Sequence, residues 1–302
     1  MKVQFLATEE HFEHHLRPVY YALSPEVRGK FCTKGAELEP GVPTVVASYG
    51  SLLATTDQPI IFFEHGAGFQ YNTKHTSYAG SPKRDRVILF CNVNEFVAEA
   101  NRKAHPSIPS VVVGCPKLDK YVKFEAPTGK PEVAFSWHWD AYVVPETRSA
   151  WKHYNSSLRQ VAHEGKGLWT PLGHAHPRAH TMVKFDYGRL GWEYLRRFED
   201  VCRRASLYVC DSSSTIYEFA ALGRPVVVLN APWYRKNVYH GLRFWDHIPG
   251  IQVNHPKELG KAIKEALTND TWGPERRKIT ELVYPNIGSA AKTAAEAILT
   301  IL

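Results

Sequence analysis

LYVCDSSSTIYEFAALGRPVVVLN, Leu207 to Asn230, reads as strand, turn, helix, stop and strand. Leu207–Cys210 and Pro225–Leu229 are short apolar runs rich in β-branched residues, as strands covered on both faces are. Gly223 is placed to end the helix in the left-handed region, and Pro225 prevents its continuation. Between strand and helix stand Asp211, Ser212, Ser213, Ser214 and Thr215. A helix beginning near Ser213 leaves its first backbone N–H groups without intrahelical partners, and these favour an anion. Two readings compete. Ser and Thr are also the preferred N-caps, and a cap explains one hydroxyl. A phosphate cradle explains four in a row, with Glu218 one turn into the helix to accept from a ribose diol.

Outward from this stretch the same alternation recurs. Val3–Ala7, Thr44–Ser48, Pro59–Phe63, Arg86–Cys91 and Ser110–Val113 read as strands of a first half. Helices are expected from a Thr8 cap to about Ala22, with a kink or early end at Pro18, and over Asn94–Lys103. Ala126–Pro131 breaks the pattern and reads as a linker. A second half follows, with strands at Glu132–Ser136, Gly167–Pro171, Leu207–Cys210, Pro225–Leu229 and Ile251–Val253. Its helices are expected at Trp151–Glu164, Leu190–Ala205, Pro256–Thr268, Thr271–Leu282 and Ser289–Leu302. The architecture implied is α/β, two Rossmann-like halves, with ligands beyond the carboxyl ends of the strands in the cleft between them.

Composition narrows the class. The 302 residues are 44% hydrophobic, enough for real cores. No apolar run is long enough to span a membrane, and the start lacks the pattern of a signal peptide, so a cytoplasmic protein is expected. Five cysteines, odd in number and scattered, give neither a disulfide framework nor a thiolate zinc site. His174 and His176, with His138 and His180, raise a zinc reading. Pro177 restricts the backbone there and no Cys or carboxylate stands at recognised spacing, so no metal is expected. The formal charge of +7 favours phosphate-rich partners without naming one.

Three further motifs, taken with the serine turn, resemble the CDP-glycerol glycerophosphotransferase family, with a fainter similarity to UDP-N-acetylglucosamine 2-epimerases. His65-Gly66 after an apolar strand is similar to that family's Trp-His-Gly turn, with Glu64 in place of Trp. Val111–Tyr121, VVVGCPKLDKY, is similar to its Gly-x-Pro-Arg-x-Asp segment, with Lys117 in place of Arg. His176-Pro177, followed by Asp211-Ser212-Ser213, is similar to its His-Pro pair and Asp-Tyr-Ser-Ser turn. Together these stretches cover about residues 60–300.

The resemblance implies a GT-B fold: an N-terminal acceptor domain over 1–125, a nucleotide-donor domain over 130–285, and a closing helix within 286–302 that packs back on the first. It implies His65 as catalytic base beside Gly66, and His176 on the donor phosphates or leaving group with Arg178 beside it. Ser212, Ser213, Ser214 and Thr215 would hold the diphosphate and Glu218 the ribose. Trp137 would lie near the nucleotide, where its indole packs on the base or fills the core.

The reaction expected is transfer of a glycosyl group from a nucleotide-diphosphate sugar, UDP-linked as the first guess, to an acceptor hydroxyl. No tightly bound cofactor and no metal-bridged diphosphate is expected. The acceptor reading rests on basic clusters at 83–86, 196–197, 203–204, 235–236 and 276–278. It rests also on the segment Ala231–Trp245, which interleaves aromatics with Arg235 and Lys236. Hydroxylated bases of DNA are therefore one acceptor, by analogy of fold. His11, in a histidine-rich first helix, is a further acceptor-side candidate. The alternatives are a CDP-glycerol-type glycerophosphotransferase acting on a polymer, and a non-catalytic nucleotide- or DNA-binding protein on the same scaffold.

Overall fold

The computed structural model describes residues 1–70, 85–142, 145–237, 240–241 and 244–302. The chain divides into two units. Met1–Val122 and Glu281–Leu302 form the first, and Lys123–Thr280 the second.

The first unit carries a parallel sheet of six strands: β1 (Val3–Leu6), β2 (Arg28–Cys32), β3 (Thr44–Val46), β4 (Ile60–Phe63), β5 (Val87–Asn92) and β6 (Ser110–Val112). Their order is β2-β1-β3-β4-β5-β6. Successive residues of β1 face opposite sides of the sheet. Val3 and Phe5 join a core with Val45, Ile61 and Leu89, while Leu6 joins another with Val46, Ile60 and Phe62. Helix α1 (Glu10–Ala22) buries Phe12, Leu16 and Val19 in the first of these cores. Helix α12 (Ala290–Leu299) packs there too, through Ala294, Ala295 and Ile298. The remaining helices of the unit are α2 (Tyr49–Leu53), α3 (Glu95–Ala104) and α4 (Leu118–Tyr121).

The second unit repeats the architecture with β7 (Glu132–Ser136), β8 (Thr170–Gly173), β9 (Glu193–Tyr194), β10 (Leu207–Cys210), β11 (Val226–Leu229) and β12 (Ile251–Val253). All pairings are parallel, in the order β9-β8-β7-β10-β11-β12. Counted from its own first strand this is 3-2-1-4-5-6, the dinucleotide-fold order, whose switch point falls between β7 and β10. The helices are α5 (Trp151–Tyr154), α6 (Leu158–Glu164), α7 (His180–Leu190), α8 (Phe198–Arg204), α9 (Thr215–Ala220), α10 (Leu259–Thr268) and most of α11 (Gly273–Val283), whose last residues belong to the first unit. The core is aromatic: Phe135, Trp137, Trp151, Tyr154, Tyr187 and Trp192 pack with the valines of β10 and β11. Gly173 makes room for it, since a Cβ there would lie 2.5 Å from the Tyr187 ring.

Several elements differ from the sequence expectation. The helix expected over Leu190–Ala205 is instead the end of α7, then β9 and α8. Gly191, at φ 72°, stops α7 in the left-handed region, where Gly carries no Cβ penalty. The expected helix Trp151–Glu164 is two helices joined by a 3₁₀ turn at Asn155–Ser157. Strand β2 was not anticipated. It is a partly exposed edge strand, RGKFC, without an apolar run. Thr8 does not cap α1; Glu9 holds that position, and the Thr8 hydroxyl pairs with Ser51 at 2.9 Å. Pro18 lies inside α1, which continues to Ala22.

Candidate functional site

At the switch point of the second unit, the exits of β7 and β10 and the segment leading into α5 are tied together by a buried carboxylate. Asp211 is fully buried and accepts from the His138 N–H at 2.7 Å, the Ala150 N–H at 2.8 Å and the Ser149 hydroxyl at 3.2 Å. Burial raises its pKa, and these donors with the nearby His138 oppose the rise. Asp211 thus organises the loop from inside, and its charge is held by backbone donors.

Ser212, next in sequence, is buried; Ser213, Ser214 and Thr215 are partly exposed. The Ser213 hydroxyl accepts from the Thr215 N–H at 3.3 Å and pairs with the Thr215 hydroxyl at 2.8 Å, which also meets Tyr208 at 2.9 Å. Ser213 thus bonds the first N–H of α9 from just before the N-cap, while Ser214 at the N-cap makes no side-chain cap bond. Helix α9 is six residues long, and Gly223, at φ 76°, closes the turn after it. Glu218 lies on α9 and is buried.

The exit of β8 brings His176 alongside. Its backbone N–H donates to the Trp137 carbonyl at 2.9 Å, and its Nδ1 accepts from the Arg178 N–H at 3.1 Å. That contact fixes the neutral tautomer with the proton on Nε2. His138 is the complement. Its Nδ1 faces the carbonyls of Trp139 and Thr147 at 3.0 and 2.9 Å, so Nδ1 carries the proton and Nε2 is the acceptor of the neutral ring. The two rings lie 5.2 Å apart. Trp139 lies 6.3 Å from the His176 ring, and the Arg178 guanidinium stands 5.1 Å over the Trp139 indole. His176, Arg178 and the Ser212–Thr215 turn thus come from separate strand exits of one sheet. His138 and Trp139 were not singled out as donor-site residues in the sequence, although they stand directly after β7.

Trp137 requires a correction. It is 1% exposed, donates from Nε1 to the Tyr187 hydroxyl at 2.6 Å, and packs edge-on to Trp151. It fills the core and presents no face to a base. His174 is likewise internal. Its Nδ1 pairs with the Ser136 hydroxyl at 2.8 Å, and burial lowers its pKa to about 3, so it is neutral at pH 7. His180 pairs with Tyr194 at 2.6 Å.

Arg235 also differs from expectation. Its guanidinium grips the fully buried Glu146 through two bonds of 2.6 and 2.8 Å, and its backbone N–H adds a third at 2.8 Å. It is a structural clamp rather than a loose phosphate contact. Lys236 is exposed and reaches Asn254 at 3.5 Å. Of the basic clusters, Arg197 pairs with Asp200, Arg203 with Glu199, Arg204 with Glu132 and Glu193, and Arg276 with Asp270. Lys83 and Arg84, and positions 238–239 and 242–243 of the aromatic-basic segment, lie outside the described residues.

In the first unit, β4 ends at Glu64-His65-Gly66, where Gly66 takes φ 74° to turn the chain. The His65 ring meets Phe12 edge-on at 5.0 Å and His15 at 6.3 Å, both on α1. Its Nδ1 is buried without a hydrogen-bond partner among the described residues. Burial, then the electrostatic influence of His11 and Lys117, lowers its pKa to about 4. Glu64, half-buried beside it with one carboxylate oxygen shut away from solvent, is raised to about 8 by desolvation. His65 is therefore a neutral imidazole in a positive surround, with His11 on the exposed start of α1. Within the VVVGCPKLDKY segment two residues are structural. Asp119 accepts from the Ala290 and Ala291 N–H groups at 3.0 and 2.8 Å, capping α12 from a distance. Gly114, at φ 86°, lets the chain pass the Pro285 carbonyl.

This architecture is that of the GT-B class. Residues 152–292 match the family model described as CDP-Glycerol:Poly(glycerophosphate) glycerophosphotransferase. Among solved structures, a histidine variant of the wall teichoic acid polymerase TagF aligns with TM-score 0.70 at 13% identity, over 99% of this chain and 88% of that one. A putative UDP-N-acetylglucosamine 2-epimerase from Listeria monocytogenes aligns with TM-score 0.64 at 13% identity, over 99% and 96%. The UDP-GlcNAc 2-epimerase from Neisseria meningitidis, bound to UDP-GlcNAc, gives 0.63 at 13%, over 99% and 100%. No curated protein matches the chain by sequence. Fold and family match together support a transferase of the GT-B type.

Proposed function

We propose that the protein is a glycerophosphotransferase-type enzyme that moves a polyol-phosphate group from a CDP-linked donor to an acceptor hydroxyl. The observation that carries this reading is the reach of the family match. Residues 152–292 include His176, Arg178 and the Asp211–Glu218 turn, which the fold gathers at a dinucleotide-type switch point. One of the TagF structures of the same fold was soaked with CDPG. The UDP-sugar and DNA reading gains no support from these relatives. Its cationic loop is weakened by the engagement of Arg235 with Glu146.

The chemistry asked of the residues is modest. The acceptor oxygen attacks the distal phosphorus of the donor, the bond from that phosphorus to the bridging oxygen breaks, and CMP leaves. His65, neutral at pH 7 and so able to accept, takes the acceptor proton. The Nε2–H of His176, the Arg178 guanidinium and the turn at Ser212–Ser214 meet the charge on the departing phosphate. Ser212 and Ser214 line the same turn, and Glu218 stands one helical turn away for the ribose.

The test is a thermal-shift screen of CDP-glycerol against UDP-, GDP- and dTDP-linked sugars, followed by CMP release with a polyol-phosphate acceptor. Stabilisation by CDP-glycerol above the others is expected. A preference for a sugar nucleotide restores the glycosyltransferase reading, and no stabilisation by any donor defeats both.

A further inference from the structure

Most basic clusters of the second unit are paired with local carboxylates, but one set of cations is not. A cavity of about 430 Å³ opens on the unit at the amino-terminal edge of β7 and β8, the opposite end from the candidate donor site. Lys130, Arg159, Lys166 and Arg189 line it together with His163, and its lining contains no carboxylate. Lys130, Arg159 and Lys166 make no ion pair with a described residue. Arg189 is held 4.6 Å over the Phe185 ring, which leaves its charge uncancelled.

The floor is apolar and rigid. Trp169 and Trp192 line the cavity and are anchored in the core, 5.9 and 4.8 Å from the Phe135 ring, with Trp192 stacked on Tyr187 at 5.5 Å. Gly165 permits this arrangement, because a Cβ there would lie 2.1 Å from the Trp169 ring. Leu190 and Ala162 complete the apolar side. Four cations kept together without counter-charge repel one another, and an anion relieves that repulsion. A cationic rim over an indole floor matches a ligand with one anionic end and one apolar body, and the volume lies within the range of small-molecule sites.

We propose that this cavity is a second ligand site, which takes the phosphate of a small organic phosphate with its apolar part against Trp169 and Trp192. It does not rest on the donor-site reading. Binding of phenyl phosphate, with inorganic phosphate as comparison, is to be measured by titration calorimetry on the whole chain at low salt. Saturable binding is expected, at least tenfold tighter for phenyl phosphate. It falls at least tenfold in Lys166→Ala/Arg189→Ala, whose thermal unfolding matches wild type, and persists in His176→Ala. Co-sedimentation with phosphatidylglycerol vesicles identifies the source: loss of vesicle binding in the double variant assigns a lipid headgroup. Phenyl phosphate binding without vesicle binding assigns a soluble phosphate. Absence of saturable phenyl phosphate binding, or binding unchanged by the double variant, overturns the proposal.

Discussion

At the residue scale, tautomer and field decide what each histidine can do. His176 is locked by the Arg178 N–H into the form that donates from Nε2. If it serves the leaving phosphate as proposed, replacing it by Ala removes that donor, and turnover should fall about 10²–10³-fold, as CMP release would show. His65 is held neutral down to about pH 4 by burial and by the charges of His11 and Lys117. A base of that pKa puts the acid limb of kcat/KM well below 6.5, and Lys117→Met, by removing a cation, should move the limb upward. A pH–rate profile checks both, and a limb near 6.5 that ignores Lys117 would remove His65 from the role. Stability carries a related signature at His174. Its folded pKa of about 3 lies below the unfolded value near 6.5, so the unfolded chain binds the extra proton first as pH falls. Stability is full above about 6.5 and is lost progressively between about 6.5 and 3. The loss is on the order of a few kcal/mol, and His174→Gln should flatten that part of a urea-unfolding series against pH.

At the element scale, turns rather than helices carry the site. Gly173 faces the Tyr187 ring, which bonds to Trp137 and to the Phe135 carbonyl and has no room to retreat. Gly173→Ala should therefore destabilise the second unit by about 1–3 kcal/mol, read from the midpoint of denaturant unfolding. Most strand runs of both sheets were legible because buried parallel strands are continuously apolar, though β8 lies at Thr170–Gly173 rather than Gly167–Pro171 and β9 falls where a helix was expected. Strand β2 was not, because an edge strand without an apolar run has no such signal. The break at Gly191 was missed because the charged pattern of 190–205 fits a helix, whereas the left-handed φ that ends α7 belongs to one glycine. The serine turn leaves two alternatives in the sequence, and Ser213 meets only the first N–H of α9, the N-cap Ser214 making no side-chain cap bond. Trp137 was offered with two fates, packing or stacking, and the core holds it. Trp139, two residues on, lies beside His176 instead. Which side chain stays inside where a strand ends depends on the neighbouring strands, which a linear pattern does not contain.

At the scale of the whole molecule, the strand orders explain where chemistry can gather. The switch between β7 and β10 draws residues from 138, 176 and 211 into one place, and no local motif in the sequence states that order. Net charge was legible from composition, but its distribution was not. Arg197, Arg203, Arg204, Arg235 and Arg276 all have carboxylate partners. The formal +7 therefore does not form a stripe for a duplex along these residues. DNA retention should be weak and should collapse between about 50 and 200 mM salt. Tight binding to a duplex at the upper salt would reopen the DNA reading.

The turn at 211–218, with His176 and Arg178, is proposed to hold a CDP-linked donor while His65 serves the acceptor. Titration calorimetry of CDP-glycerol into wild type, His176→Ala and His65→Ala tests it most directly. The account predicts saturable binding to wild type, about tenfold weaker binding to His176→Ala, in line with the loss of one charge-assisted hydrogen bond, and wild-type affinity for His65→Ala. No binding to wild type, or equal affinity for wild type and His176→Ala, would contradict it.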